Sequence, residues 1–228
     1  MNKERIIDLS VTVTPETKRA RSEEPAVRYQ PVRRGPGHWQ ATRIEMSAHI
    51  GAHVDASLHC MSHGSTLVEE TPLEKVIGRG MLFDLSHLGA NAAVNARELE
   101  KADPGLDEND IALLWTGWSD RMYTTFPDYY SQSPFLDMSG AQWLRKRRPK
   151  AIAFDFFEEY KARFDDFTSE DFVVHRELLG NGIVLLEGAS NLGALKGRGP
   201  VKFFAPFYKL AGIEGAPARF FAIVEEPA

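Results

Sequence analysis

Cysteine is almost missing from this chain of 228 residues: Cys60 stands alone, so an internal disulfide is excluded and a reducing, cytoplasmic setting is expected. Long apolar runs are missing too, and nothing approaches the ~18 residues that a membrane-spanning helix needs. The opening Met1-Asn2-Lys3-Glu4-Arg5 is charged and has no small-residue cleavage site after it, so a secretory signal is not expected. Positive charge is not in excess. A net charge of -5 argues against nucleic acid as a partner, because phosphates are met by basic faces. The one basic run, Arg145-Lys146-Arg147-Arg148-Pro149-Lys150, reads as the solvated end of a helix, where cations complement the dipole. Neither an internal repeat nor a low-complexity segment interrupts the chain.

What is present describes a globular protein. Apolar residues make up 43% and aromatics 11%, an ordinary balance for a folded core. The length suits one well-buried core and is short for two, so residues 1–228 read as a single domain. Short β-branched or apolar runs predict strands at 6–13, 81–85, 111–115, 151–154, 183–186, 201–207 and 218–224. Asn95 and Ser139 head sequences that resemble capping boxes, and Ser169 is placed to cap a third helix ending at Gly180. Residues 14–40, with Pro15, Pro25, Pro31 and Pro36, carry the least pattern and read as an ordered arm or a flap over a site. Many strands with a few helices, not strictly alternating, give an α+β or mixed α/β fold.

The chemistry concentrates in one place. Four of the seven histidines, His49, His53, His59 and His63, fall within fifteen residues, where uniform scatter would put fewer than one. The stretch reads His49-Ile50-Gly51-Ala52-His53-Val54-Asp55-Ala56-Ser57-Leu58-His59. Imidazole and carboxylate are the donors that zinc and manganese accept, and two histidines with one aspartate leave coordination positions open, as catalysis requires. His53 and Asp55 share a face if the piece is extended, while Gly51 permits a bend and a close backbone approach. His63 reads as a rim residue, His38 and His87 as ordinary, and Cys60 as a small residue packed behind the cluster.

The histidine segment resembles the signature of the cyclase-like metal hydrolases, the family of bacterial kynurenine formamidase and isatin hydrolase. Their pattern is His-x-Gly-Thr-His-x-Asp-x-Pro-x-His. This chain keeps His49, Gly51, His53, Asp55 and His59, with Ala52 in place of threonine and Ser57 in place of proline. Ile7-Asp8-Leu9-Ser10, Pro72-Leu73-Glu74, Phe83-Asp84-Leu85, Thr116-Gly117-Trp118, Asn191-Leu192 and Gly215-Ala216-Pro217-Ala218-Arg219 resemble further family stretches in the same order. The resemblance implies a swivelling β/β/α domain, a homodimer or homotetramer, and one or two divalent ions, zinc or manganese. It implies that His175 and Glu187 join Asp55, which bridges two ions, and that His59 is the proton acceptor. Glu187 closes the aliphatic run 183–186, where a carboxylate is costly to bury unless paired or metal-bound.

The reaction that follows is hydrolysis of an amide, cyclic or N-acyl, of a small and aromatic molecule, with a lactone as the alternative and a catalytically idle metal-binding protein as the reading from another class. The family's early tryptophan and Pro-Gly-Asp are absent from 13–21, so the aromatic pocket is expected from other residues. Trp39, Trp115, Trp118, Phe126 and Tyr208 are the candidates, though such rings are more often core, and Lys18, Arg19 and Arg21 read first as a solvated arm and second as a hold on a substrate carboxylate.

Overall fold

Three runs in this chain, 111–115, 151–154 and 184–187, are apolar at nearly every position. Only strands covered on both faces can use such sequences. In the computed structural model, which describes residues 3–20, 22, 26–33, 37 and 39–226, they lie side by side at the centre of a mixed sheet. The strands in chain order are β1 (Lys3–Asp8), β2 (Val27–Val32), β3 (Ala41–Met46), β4 (His53–Asp55), β5 (Ile77–Asp84), β6 (Ala93–Val94), β7 (Ile111–Trp115), β8 (Phe135–Leu136), β9 (Ala151–Phe154), β10 (Val184–Glu187), β11 (Val201–Phe204), β12 (Gly215–Pro217) and β13 (Phe221–Glu226). Nine of them form one sheet in the order β1-β13-β11-β5-β7-β9-β10-β4-β12. The central β5-β7-β9-β10 set is parallel, and both flanks are antiparallel. The fold is mixed α/β, as the sequence pattern predicts.

Alternation along the central strands divides the core in two. Ala112, Leu114, Ile152, Phe154 and Leu185 face a layer of helices that contributes Leu99, Leu144 and Leu178. Their neighbours Ile111, Leu113, Ala151, Ala153 and Leu186 face the other way, where Leu9, Phe203, Phe220 and Ala222 of the antiparallel flank complete the core. The small alanines let the sheet close over its own face there. Among the described residues no helix is long and apolar enough to cross a membrane.

Several boundaries differ from the sequence reading, for local reasons. The first strand stops at Asp8 instead of residue 13. Residues 14–40 hold β2, which pairs with β3 in a separate two-stranded ribbon whose side chains are mostly exposed, so it carries no apolar pattern to detect. Pro25 and Pro36 of that arm, and His38 and Arg21, lie outside the described residues. Asn95 does cap its helix, accepting from Glu98 N at 3.1 Å. Ser139 does not: Asp137 takes that place, accepting from Gly140 N at 2.9 Å, and the helix runs Met138–Arg147 with the basic run at its end. Thr168, not Ser169, accepts at the head of a short helical turn, and the helix proper is Val173–Leu179.

One buried carboxylate ties the strand ends together. Asp155, directly after β9, accepts from Thr116 N at 2.8 Å, Thr116 Oγ1 at 2.7 Å and Gly117 N at 2.6 Å, which fixes the turn leaving β7. Its own carbonyl accepts from Ser119. Removing the carboxylate strands three inward donors, each costing ~1–3 kcal/mol when left unpaired. Asp155→Ala is therefore expected to destabilise the fold by about 3 kcal/mol, read as a lower urea midpoint with an unchanged slope.

Candidate metal centre

The carboxyl ends of β7, β9 and β10 point to one edge of the sheet, and the chain delivers its polar residues there. β4 runs antiparallel to β10 with His53 opposite Glu187 and Asp55 opposite Leu185. Being extended, it turns His53 and Asp55 to the same side, as their spacing predicts. Ahead of β4 the chain bends at Gly51, whose φ of +68° suits glycine, and the bend carries His49 back over the strand. Gly188, next to Glu187, abuts this bend: a Cβ there would sit 2.2 Å from Gly51 O. After β4 the short helical turn Ser57–His59 adds His59. The Val173–Leu179 helix brings His175, and the segment after β9 brings Glu158 and Glu159.

The donors converge. His49 Nδ1 is 2.8 Å and His53 Nε2 3.4 Å from Asp55 Oδ1. Asp55 Oδ2 is 3.8 Å from His175 Nε2. His175 Nε2 is also 3.1 Å from Glu187 Oε1 and 3.4 Å from Glu158 Oε1, while His53 Nε2 is 3.7 Å from Glu187 Oε2. Asp55 thus shows one oxygen to His49 and His53 and the other to His175, the arrangement of a bridging carboxylate. His49, Asp55 and His59 can share an ion, as can His53, Asp55 and Glu187, and Glu158, His175 and Glu187.

Each of three histidines has a partner on the nitrogen that points away from the cluster. His53 Nδ1 donates to Gly51 O at 2.9 Å, His49 Nε2 to Glu214 Oε1 at 3.1 Å, and His175 Nδ1 to Glu159 Oε2 at 3.1 Å. Such outer partners fix the tautomer and ring orientation of metal-binding histidines. The inward atoms His49 Nδ1, His53 Nε2, both Asp55 oxygens and both Glu158 oxygens are buried without a hydrogen-bond partner. Orphaned polar atoms of this kind are rare unless something else answers them, and six aimed into one space fit a divalent cation.

Electrostatics follow from the same crowding. Burial disfavours the charged form of His49, but Asp55 and the other carboxylates outweigh it and push its pKa up to about 9. Burial, helped by the cationic neighbours His49 and His175, brings His59 down to about 4 despite Asp55, so its imidazole is neutral at pH 7. Burial and then Glu187 drive the Glu158 carboxyl well above its usual range. His59 stacks on His49 with ring centroids 4.0 Å apart and meets the edge of Phe172 at 5.1 Å.

A cavity of about 220 Å³ opens over these groups, walled by Tyr123, Tyr130, Phe156, Phe157, Phe167 and Phe172, with Arg19 also on its lining. All six residues expected at the centre, His49, His53, Asp55, His59, His175 and Glu187, are brought together. The five aromatics weighed for a pocket go elsewhere, in line with the more common fate of large rings. Trp118 is buried with its Nε1 on Tyr129 O, Trp39 and Tyr208 are exposed, Trp115 lies beneath Lys196, and Phe126 packs among tyrosines, so none of the five lines the cavity. His63 is exposed, His87 pairs with Glu98, and Cys60 is half-buried against the core with its thiol pushed up by burial. Glu158 and Glu159 were missed, although they follow the apolar run 151–154 just as Glu187 follows its own.

Three comparisons with known proteins agree on a family. The Cyclase family model matches residues 7–158. A kynurenine formamidase of Geobacillus thermodenitrificans is 31% identical over 64% of this chain and 63% of its own length, so the chain spans somewhat less than two thirds of that relative. The kynurenine formamidase of Salinibacter ruber is 26% identical over 77% of this chain and 76% of its own. In three dimensions isatin hydrolase A from Labrenzia aggregata superposes with a TM-score of 0.80 at 21% identity, covering 98% of this chain and 94% of that one. The chain belongs to the cyclase family.

Asp55 is the donor common to both halves of the centre. Asp55→Asn keeps the shape and removes the charge; the purified variant should retain less than a tenth of the wild-type metal, measured by mass spectrometry after dialysis. Full occupancy would take Asp55 off the ion.

Proposed function

We propose that this protein hydrolyses an amide, cyclic or N-acyl, of a small aromatic molecule, using a divalent ion held by His49, His53 and Asp55, with His175 and Glu187 beside them. The observation that carries this reading is the set of inward, buried and unpaired donor atoms at the base of an aromatic cavity. The relatives named kynurenine formamidase and isatin hydrolase support the same reaction class.

A bound divalent ion would lower the pKa of water from 15.7 towards ~7 and stabilise negative charge on the substrate carbonyl oxygen. The chain's own residues do the rest. Asp55 and the three histidines His49, His53 and His175 fix the donor geometry, and the outer partners Glu214, Gly51 and Glu159 hold those rings in place. His59 lines the cavity and has no carboxylate on its ring within pairing distance among the described residues, so it is free to accept a proton from water. It then returns that proton to the leaving nitrogen, which an amide needs more than a lactone does because an amide anion is a poor leaving group. Aromatic walls take the ring of the substrate and exclude water, which strengthens every charge interaction inside. Arg19 on the lining offers a fork for a substrate carboxylate. Manganese or zinc suits the donors, a homo-oligomer suits the family, and the single cysteine suits the cytoplasm.

The test is turnover of an N-formyl aromatic amide, isatin and simple lactones by one metal-assayed preparation, with and without chelator. Chelation should abolish turnover of the amide. His59→Ala should reduce kcat by ~10²–10⁴ while the bound metal is unchanged; loss of metal would make His59 a ligand, and no turnover of any substrate would favour an idle binding protein.

A further inference from the structure

The peptide at Gly51 has a task besides bending the chain ahead of β4. Its carbonyl oxygen accepts from His53 Nδ1 at 2.9 Å, so the tilt of the His53 ring follows the position of that peptide. Glycine does not hold such a position by itself, because it has the widest backbone freedom of any residue. Its neighbours hold it. On one side lies Gly188, packed so closely that a Cβ there would fall 2.2 Å from Gly51 O. On the other lies Val13. A Cβ on Gly51 would fall 2.2 Å from Val13 Cγ2, so the valine methyl occupies the notch that the missing side chain leaves.

Val13 is placed in turn by the backbone before it and by a phenol behind it. Ser190 N donates to Leu9 O at 2.9 Å, Ser10 bridges to Ala189, and Val11 N donates to Gly188 O at 3.3 Å, which lays the segment 9–11 alongside 188–190. Two residues further on, Tyr29 Oη of β2 donates to Val13 O at 3.1 Å. The β2–β3 ribbon thus reaches the centre in three links: the Tyr29 hydroxyl on the Val13 carbonyl, the Val13 methyl against Gly51, and Gly51 O on the His53 ring. Neither Val13 nor Tyr29 belongs to the donor groups or to the cavity lining.

We infer that Val13 is a positioning residue for the metal centre: with Tyr29 behind it, it fixes the Gly51 peptide and, through that peptide, the imidazole of His53. The inference rests on the metal-dependent reading and adds to it two residues that act without touching ion or substrate. Packing is the means. A close-packed methyl holds its neighbour in place, and removing it opens a gap into which the peptide relaxes. Partners one step out from a metal ligand are worth ~10–100-fold in metal affinity; Val13 stands one step further out, so the lower end of that range is expected.

Cobalt(II) added to the full chain tests this, because its visible absorption reports the geometry of its donors while the titration reports affinity. Val13→Ala should weaken binding about tenfold and move the visible bands. Val13→Ile, which keeps the methyl that meets Gly51, should bind and absorb as the wild type does. Tyr29→Phe, which removes one hydroxyl at an exposed position, should move the bands in the same direction and by less; if Val13→Ala does not fold, this variant decides. Unmoved bands in Val13→Ala, whatever its affinity, would make Val13 a packing residue alone and overturn the inference while leaving the metal-dependent reading in place. A wild type that binds no cobalt(II) would remove both.

Discussion

Buried carboxyl groups crowded against imidazoles are the constraint around which this molecule is arranged. Asp55 and Glu158 lie fully inside the protein, and none of their oxygens accepts a hydrogen bond. Folding alone would not keep such groups, since stripping a carboxylate of water costs several kcal/mol. Everything nearby makes sense as provision for a cation: the histidines gathered on one side, the backbone and carboxylate partners that hold their far nitrogens, and the aromatic enclosure over them.

The sheet makes that provision possible. In open α/β sheets, ligands gather beyond the carboxyl ends of the parallel strands, and here β7, β9 and β10 end in Thr116, Asp155 and Glu187 respectively or just before them. β4 enters from the opposite direction, so that its first residue, His53, meets the last of β10. An antiparallel strand beside a parallel set is what places a histidine and a glutamate from distant parts of the sequence at one level. Asp155 belongs to none of the donor groups; it holds the neighbouring turn and so steadies the strand end from which Glu158 and Glu159 emerge.

The centre was largely legible in the sequence because its densest part is local. Four histidines in fifteen residues stand out against any background, and the strand runs 111–115 and 151–154 are too apolar to be anything but buried. His175 and Glu187 needed the family resemblance, since a histidine on a helix and a glutamate at a strand end are common. Glu158 and Glu159 had a sequence signal, carboxylates a few residues beyond the apolar run 151–154, but adjacent acids are usually solvated and only the fold shows them enclosed. The aromatic wall was not legible because large rings are found in cores more often than in sites. Trp118 went to the core, while Phe157, Phe167 and Phe172, in a stretch with little periodicity, went to the cavity. The three-residue strands β4 and β12 were too short to register as pattern, and the β2–β3 ribbon had no apolar face to betray it.

Gly51 and Gly188 touch through their main chains, one beside His53 and the other beside Glu187. The gap between the two arms of the centre is thereby gauged by peptide groups, which have a fixed size, and not by side chains that mutation can lengthen or trim. Rings such as Phe157 and Phe172 can then drift through evolution and reshape what the cavity admits, while the spacing of the donors beneath them stays put. A scaffold gauged in this way lends itself to a succession of substrates served by one unchanging set of ligands.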